Sequence, residues 1–414
     1  MKRRKRQPGL GAFRRELRRR CARCAILALA VTAVAGCEAA PVSTNTSRDS
    51  LGVTIVESVA PLWGARDAWQ IEEEPILDLA RAGSGEMHTF FRVRDVLRTG
   101  SGHLAVADGA SQEVRIYDAT GRFVRAFGGP GEGPGEFRSL WTVVLKPDGR
   151  LVALDRAAGG SGAEFDLGSG LVSSFRMPEG VSPVRHPLPS DVVWGLDLAP
   201  DTDEERRSAG VPRPPVTVVR LSEDRMSADS VTSLPGYKNF IVTEGDDIPI
   251  MGRLPHAVPD GKGRIAMGTA DALEYSIVDG GTGELRLIAR IPGVPLTVSS
   301  AEVEREREEW LGPDPSPFIR DFMARLPEPA EKPGYQRLIV DADGNVWAGE
   351  YLGLARRDEP QEWYVLDSSG AWLGVVDTPA RFELMRVGAD EVFGVRRDAN
   401  DVEHPQLLRL VKPG

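Results

Sequence analysis

The chain has 414 residues, of which 41% are hydrophobic and 27% are charged, with a formal net charge of -10. This apolar fraction is enough to build a large core, and the composition is not that of a disordered chain. The mean hydropathy of -0.24 excludes a polytopic membrane protein.

The N-terminal 36 residues have the pattern of an export signal. A strongly basic stretch over residues 1–24 precedes an uncharged run from Ala25 to Gly36. Twelve residues at about 1.5 Å each are too short to cross a bilayer core of about 30 Å, but they suit the apolar region of a signal peptide. The run ends in Val34-Ala35-Gly36-Cys37, which resembles the lipobox of bacterial lipoproteins. The resemblance implies that Cys37 is lipidated and becomes the new N-terminus. The alternatives are an ordinary signal peptide or a short anchor helix.

Removal of residues 1–36 changes the charge of the protein. It takes away 11 basic residues and one acid, so the net charge goes from -10 to -20. Such a polyanion does not fit nucleic acid, because backbone binding needs clustered Lys and Arg. The membrane partner is instead expected to be reached through the lipid on Cys37. Residues 37–50, which are rich in Ala, Ser and Thr, are predicted to form a flexible tether.

Residues 51–414 show a repeated pattern of four short strands. In each clear unit, two apolar strands flank a tight Gly turn, and a third and a fourth strand follow. The turns between the first two strands are Thr99–Gly102, Pro147–Gly149, Asp260–Gly263 and Asp341–Gly344. In the first two units, Gly102 and Gly149 lie 47 residues apart. This spacing is typical of a four-stranded propeller blade.

The count of units predicts an all-β, six-bladed β-propeller. The units span about 90–128, 138–178, 188–236, 253–293, 336–378 and 381–412. The last unit has only three strands, whereas strand-like segments at Gly52–Ser58 and Trp69–Leu79 belong to no unit. An N-terminal strand is therefore expected to complete the last blade and close the ring, which removes its open edges.

The segment Gln112–Gly128 and its continuation Gly129–Phe137 resemble an NHL-type repeat. The run Gly131–Phe137 is similar to the linker between blades in bacterial six-bladed β-propeller lipoproteins. The resemblance implies a fold and a location in the cell envelope. It implies no single activity, because propellers carry many functions.

Residues 299–332 interrupt the strand pattern between the fourth and fifth units. Ser300 is predicted to cap a first helix that extends to Trp310, and a second helix is predicted over Phe318–Leu326. This insert is expected to lie on one face of the disc. Either it forms a lid over the central channel, with Phe318, Phe322 and Leu326 pointing inward, or it is a surface feature with a solvated charged face.

Three acids at the ends of second strands are the only candidate metal ligands. Asp108, Asp155 and Glu350 occupy matching positions in different blades, and carboxylates that converge on a channel could hold Ca²⁺ or Mg²⁺. The alternative is that these acids cap turns by accepting hydrogen bonds from backbone N–H groups. No histidine accompanies them at a regular offset, so turn capping is preferred and no catalytic residue or cofactor is predicted.

Together, these features predict a lipid-anchored, extracytoplasmic β-propeller of the bacterial cell envelope that acts by binding. Its ligand is expected to be an envelope protein, a peptide or a glycan. The alternative is a metal-dependent hydrolase or lyase, similar to gluconolactonases or streptogramin lyases, with its site in the channel. In that case Asp108, Asp155 and Glu350 would hold the cation.

Overall fold

The computed structural model describes residues 44–413, except for 65, 157–159, 186–189, 191, 198–214, 226, 237–249 and 327. The predicted signal peptide, Cys37 and the first part of the predicted tether lie outside this range. Among the described residues, no helix combines the length and the apolar character needed to cross a membrane.

The described chain forms a six-bladed β-propeller, as predicted. Each blade is built on an antiparallel sheet of four strands, and the strands are short, with three to nine residues each. The first three blades are β4 (Val93–Arg98), β5 (Leu104–Asp108), β6 (Glu113–Tyr117) and β7 (Phe123–Gly128); β8 (Leu140–Leu145), β9 (Leu151–Asp155), β10 (Ser161–Asp166) and β11 (Gly170–Arg176); and β12 (Val181–Pro183), β13 (Trp194–Asp197), β14 (Pro215–Leu221) and β15 (Ala228–Pro235).

The other three blades follow in chain order and complete the ring. They are β16 (His256–Pro259), β17 (Arg264–Gly268), β18 (Glu274–Asp279) and β19 (Leu285–Arg290); β20 (Arg337–Val340), β21 (Val346–Gly349), β22 (Glu362–Leu366) and β23 (Trp372–Asp377); and β24 (Phe382–Val387), β25 (Glu391–Arg397), β26 (Glu403–Val411) and β3 (Gln70–Asp78). Apolar clusters join every blade to its two neighbours, including the sixth to the first.

Aspartates stabilise the turns between the third and fourth strands of several blades. The Asp118 carboxylate accepts hydrogen bonds from the backbone N–H groups of Thr120 and Arg122 at 2.9 and 3.0 Å. The same arrangement recurs at Asp166, Asp279 and Asp367. Because a short acidic side chain satisfies the N–H groups of a tight turn, the repeat carries Asp at this position.

The N-terminal segment runs along the outer edges of three blades. β1 (Asn45–Ser50) pairs with β2 (Val53–Ser58), and β2 adds in parallel to β19 of the fourth blade. The backbone N–H groups of Leu62 and Trp63 then donate to β23 of the fifth blade. Finally, β3 pairs antiparallel with β26 and supplies the missing strand of the sixth blade.

This arrangement confirms closure of the ring, identifies the strand that closes it and corrects one detail of the prediction. The strand that closes the ring is β3, whereas the segment that contains β2 widens the fourth blade to six strands. Residues 45–50, which were assigned to the flexible tether, form strand β1 instead. Their pairing with β2 satisfies the backbone N–H and C=O groups, and the side chains are mostly exposed. A polar composition alone therefore misled the prediction.

The insert between the fourth and fifth blades contains two helices, α1 (Ser300–Leu311) and α2 (Pro317–Arg325). Ser299, and not Ser300, caps α1, because its side chain and that of Glu302 form a reciprocal capping box. The buried Glu306 carboxylate accepts hydrogen bonds at 2.9 Å from the backbone N–H groups of Leu354 and Ala355. This contact holds α1 on a loop of the fifth blade.

The structure does not support the lid that the apolar residues of α2 suggested. Phe318 is 74% exposed, so it does not point inward. Leu326 is buried in a small cluster with Met323, Ile250 and Met251. The side chain of Phe322 lies outside the described part of the chain. The insert thus packs on residues 250–251, which precede β16, and on the loop that follows β21.

Truncation from the N-terminus tests the role of β3. A chain that begins at Trp69 keeps β3 and is expected to unfold cooperatively, with a lowered Tm because the edge contacts of β1 and β2 are lost. A chain that begins at Leu79 leaves the sixth blade with three strands and two open edges, and it should not fold cooperatively. Thermal unfolding followed by circular dichroism distinguishes the two. Equal melting curves would show that β3 does not close the ring.

Candidate functional site: a cavity in the central channel

The candidate site is a cavity of about 370 Å³ on the propeller axis. The first strands of five blades line it, namely β8, β12, β16, β20 and β24. First strands end up innermost because each blade adds its later strands outward. Much of the wall is apolar, and it includes Val184, Leu196, Leu254, Pro255, Ala257, Val258, Leu338, Ile339, Val340 and Met385.

The cavity opens on the face of the ring that carries the connections between blades, here called the connection face. Antiparallel pairing places the start of each first strand beside the end of the second, as in Val93 opposite Asp108. Leu254 and Gln336 precede first strands and Arg156 follows a second strand, and all three line the cavity. The turns between first and second strands lie on the opposite face.

A buried ion pair contributes to the wall of the cavity through Arg386. Two guanidinium nitrogens of Arg386 on β24 donate to the two carboxylate oxygens of Asp95 on β4, at 2.9 and 2.7 Å. The Thr142 hydroxyl and the Val143 N–H, both on β8, also donate to Asp95. Arg386 also lines a second cavity of about 270 Å³, which reaches the opposite face at Gly100. Arg386 therefore lies between the two cavities and lines both of them.

The hydrogen bonds of the ion pair offset the cost of removing its two charges from water. Burial on its own raises the pKa of Asp95, but the charge and the hydrogen bonds of Arg386 outweigh it, so the pKa is lowered. Each carboxylate oxygen of Asp95 has at least two hydrogen-bond donors. Such full satisfaction is what makes a buried pair tolerable.

Three arginines face one indole: Trp141, Arg156 and Arg185 line the cavity, whereas Arg94 contacts Trp141 without lining it. The guanidinium carbons of Arg156, Arg185 and Arg94 lie 4.5, 5.0 and 5.7 Å from the centre of the Trp141 ring. All three distances are within the range of cation–π attraction. Arg185 also donates from Nη2 to the Arg94 carbonyl at 2.5 Å. This group, Trp141 with Arg94, Arg156 and Arg185, is here called the arginine cluster.

The arginine cluster forms no direct ion pair with an acid of the described chain, although the charges of Asp95 and Glu383 act on Arg185 from a greater distance. In the described part of the chain, no carboxylate lies within 4.0 Å of any of these three guanidinium groups. Burial, followed by the charge of Arg337, lowers the pKa of Arg185 to about 10. Burial and the charges of Arg92 and Arg156 lower the pKa of Arg94. The site therefore concentrates positive charge in a protein that is acidic overall.

Two further polar residues lie in the wall of the same cavity. Burial, and then the charge of Arg337, lowers the pKa of His256 to about 4, so its imidazole is neutral at pH 7. Arg337 itself is paired, because its Nη2 donates to the Glu383 carboxylate at 2.7 Å. His256 therefore adds a neutral polar group to the wall, and Arg337 adds a charge that Glu383 balances.

The structure disperses the three acids that the sequence suggested as metal ligands. Asp108 accepts from the N–H groups of Ala110 and Ser111, and Asp155 accepts from those of Arg138 and Ser139, at 2.7 to 3.1 Å. Glu350 pairs with Lys332 and Arg356. None of the three lines the cavity. No group of three or more His, Cys, Asp or Glu suited to a metal occurs within the described ranges.

The analysis of the sequence did not identify any residue of the arginine cluster. Trp141 and Arg94 lie on the first strands of neighbouring blades, whereas Arg156 and Arg185 follow strands of the second and third. Nothing in their spacing predicts that they meet. One usable signal existed: Trp141 and Arg94 each occupy the second position of a first strand.

Comparisons with solved structures agree with the fold. A Bacteroides fragilis protein named as exported matches with a TM-score of 0.50 and 12% identity, over 87% of this chain and 100% of that one. A member of the DUF4221 family from Bacteroides vulgatus matches with a TM-score of 0.50 and 9% identity, over 84% and 100% of the two chains. Virginiamycin B lyase from Staphylococcus aureus reaches 0.39 at 10% identity, over 77% and 81%. No protein-family model and no curated protein matches the chain.

These matches establish the propeller fold and nothing about activity. At 9–12% identity, similarity of structure carries no substrate or site residue from one protein to another. The score of the lyase is too low to bear on the hydrolase or lyase alternative.

Replacement of Asp95 by Asn tests the buried ion pair of the channel. Loss of the charge leaves Arg386 buried and unpaired, so the free energy of unfolding should fall by about 3–5 kcal/mol at pH 7. The folded pKa of Asp95 lies below its ordinary value of 3.8. Its stabilisation is therefore present above that value and is lost as the pH falls through the lowered pKa.

The stability difference between the wild type and Asp95→Asn should therefore shrink in acid. Urea unfolding at neutral pH and below pH 4 measures it. Asp401→Asn, at an exposed turn, is the control and should change stability at neither pH. A difference that is independent of pH would show that the charge of Asp95 is not what stabilises the fold.

Proposed function

We propose that this protein is a lipid-anchored, extracytoplasmic β-propeller that binds a ligand in the cavity on the connection face. The observation that supports it best is the cavity of about 370 Å³, with apolar walls and a few convergent polar groups. Ligand sites of proteins have this size and character. The buried Arg386, held by Asp95, lines the cavity and keeps this part of its wall rigid.

The proposed location rests on the N-terminus of the chain. A basic segment, a short apolar run and the sequence Val34–Cys37 together favour export and lipidation at Cys37. A structural match to a protein named as exported agrees with this proposal. The structure begins to describe the chain at Thr44, so only a short segment separates Cys37 from strand β1. The propeller would thus be held close to the membrane surface.

The size of the cavity restricts how a ligand binds. A volume of about 370 Å³ accommodates a small molecule, or one group of an envelope protein, a peptide or a glycan. The hydrolase or lyase alternative would need a catalytic group at the same place. His256 is the only histidine in the described lining, and the acids Asp108, Asp155 and Glu350 lie elsewhere. No specific observation favours that alternative.

Filling the cavity should abolish binding. Leu254 is exposed at the mouth, so Leu254→Trp is expected to block entry without disturbing the fold. The exported chain carrying Cys37→Ser would be incubated with envelope extract and separated by gel filtration, and retained small molecules would be identified by mass spectrometry. A molecule retained by this chain should be lost from its Leu254→Trp form.

Val124→Trp provides the matched control, because Val124 is also exposed but does not line the cavity. It should retain the same molecules as the unblocked chain. If Leu254→Trp also retains them, binding does not occur in the cavity, and the proposed function is wrong in its central point.

The lipid anchor is tested by metabolic labelling with palmitate in a bacterial host. Cys37→Ser should abolish incorporation and move the protein from the membrane fraction to the soluble fraction, because the thiol is the acceptor of the lipid. Cys21→Ser and Cys24→Ser are matched controls within the signal segment and should leave labelling unchanged. Persistent labelling of Cys37→Ser would contradict the lipobox assignment.

A further inference from the structure

We infer that the cavity on the connection face selects organic anions, in which an apolar body carries a carboxylate or a phosphate. The arginine cluster would bind the anionic group at the mouth, and the apolar walls below would take the body. This inference rests on the proposed function, since it names the ligand class of the same cavity.

The arginine cluster differs from the other arginines of the channel because it lacks direct acidic partners. Other arginines of the channel are paired: Arg386 with Asp95, and Arg337 with Glu383. Arg94, Arg156 and Arg185 have no carboxylate within 4.0 Å among the residues that the structure describes. Like charges held together repel one another, so an anion that binds between them relieves that repulsion as well as forming new contacts.

The guanidinium groups of the arginine cluster also have N–H donors that no protein acceptor uses. A guanidinium carries five N–H donors. Within the described ranges, the side chains of Arg94 and Arg156 donate to no protein atom, and Arg185 makes a single hydrogen bond, to the Arg94 carbonyl. The Arg185 Nε is buried and has no partner. Buried donors of this kind are normally satisfied, so a ligand acceptor is expected there.

The side chains of the arginine cluster are held in place before a ligand binds. Trp141 contacts all three guanidinium groups, and the hydrogen bond from the Arg185 guanidinium to the backbone carbonyl of Arg94 fixes Arg185 to strand β4. Planar guanidinium groups on an aromatic face bind carboxylate and phosphate through paired N–H donors. Because these side chains are held in place before binding, less conformational entropy is lost when the ligand arrives.

The apolar walls of the cavity favour a ligand with an apolar body over a free inorganic ion. Below the arginines, Ala257, Val258 and Ile339 form part of an apolar surface that a small hydrated ion would leave uncovered. An aliphatic or aromatic body would remove this surface from water and so add to the affinity. A long neutral sugar satisfies neither the walls nor the arginines.

The experiment compares ligands that share one body and differ in the head group. Octanoate, octyl phosphate, octanol and octylammonium would be titrated calorimetrically into the exported chain carrying Cys37→Ser, which keeps every residue of the propeller. Both anions should bind, octanol should bind at least about tenfold more weakly, and octylammonium should not bind. The relative affinity of the two anions distinguishes a carboxylate ligand from a phosphate ligand.

A substitution then identifies the groups responsible. Arg156 is exposed and its only described side-chain contact is with Trp141, so Arg156→Gln is expected to fold normally. It should weaken anion binding about tenfold and leave octanol binding unchanged. Arg122→Gln, which removes an exposed arginine paired with Asp118, is the control and should have no effect. Thermal unfolding checks that all variants are folded.

The outcomes separate this inference from the proposed function. If octanol binds as tightly as octanoate and Leu254→Trp blocks both, the cavity is a binding site but the anion selectivity is wrong. Anion binding that is unchanged in Arg156→Gln, or absent at millimolar concentration, also overturns the inference. The proposed function is judged separately, by retention of envelope molecules in the Leu254→Trp experiment.

Discussion

Closure of the ring is the constraint on which the rest of this structure depends. The C-terminal part of the chain provides only three strands for the sixth blade, and β3 supplies the fourth by pairing with β26. Without this strand, the apolar layer between the sixth and first blades, which includes Leu79 and Leu407, would be exposed to water. Since the cavity is lined by first strands from five blades, it exists only when the ring is complete.

The N-terminal segment does more than close the ring. It first widens the fourth blade, then crosses the edge of the fifth, and finally enters the sixth. Trp63 and Trp69 pack against each other on this path, with ring centres 4.8 Å apart. A segment that contacts three consecutive blades resists their separation. If Cys37 carries a lipid, the membrane anchor is joined directly to the part of the chain that holds the ring together.

The interior of the channel shows two different treatments of arginine. Arg386 is buried and paired with Asp95, and it also donates to the Val143 carbonyl, so it joins three blades. The arginines around Trp141 lie nearer to the opening and lack acidic partners. A paired charge stabilises structure, whereas an unpaired and partly hydrated charge is available to a ligand. This contrast between paired and unpaired arginines, which no sequence motif reveals, identifies the mouth of the cavity as the candidate site for a ligand.

Local chemistry allowed part of this description to be made from the sequence. Turn aspartates and glycines, such as Asp118 and Gly102, have their effect within a few residues, so strands, blades and their number could be counted. Because these signals act only within a few residues, they also explain which parts of the prediction were wrong. The capping residue was displaced by one, from Ser299 to Ser300, because both are serines and only the geometry of Glu302 distinguishes them. Polarity concealed strand β1, whose order comes from pairing and not from burial.

The candidate site could not be predicted in this way, because it is assembled across blades. Arg94 and Arg185 are 91 positions apart and Asp95 and Arg386 are 291 apart, yet each pair is in hydrogen-bond contact. Sequence periodicity reports only which face of a strand is apolar, and it contains no information on which blades face each other across the axis. The sequence by itself determined the propeller type and the number of blades. Only the tertiary structure decided which strand closes the ring, which arginines are paired, and where unpaired positive charge meets an apolar cavity.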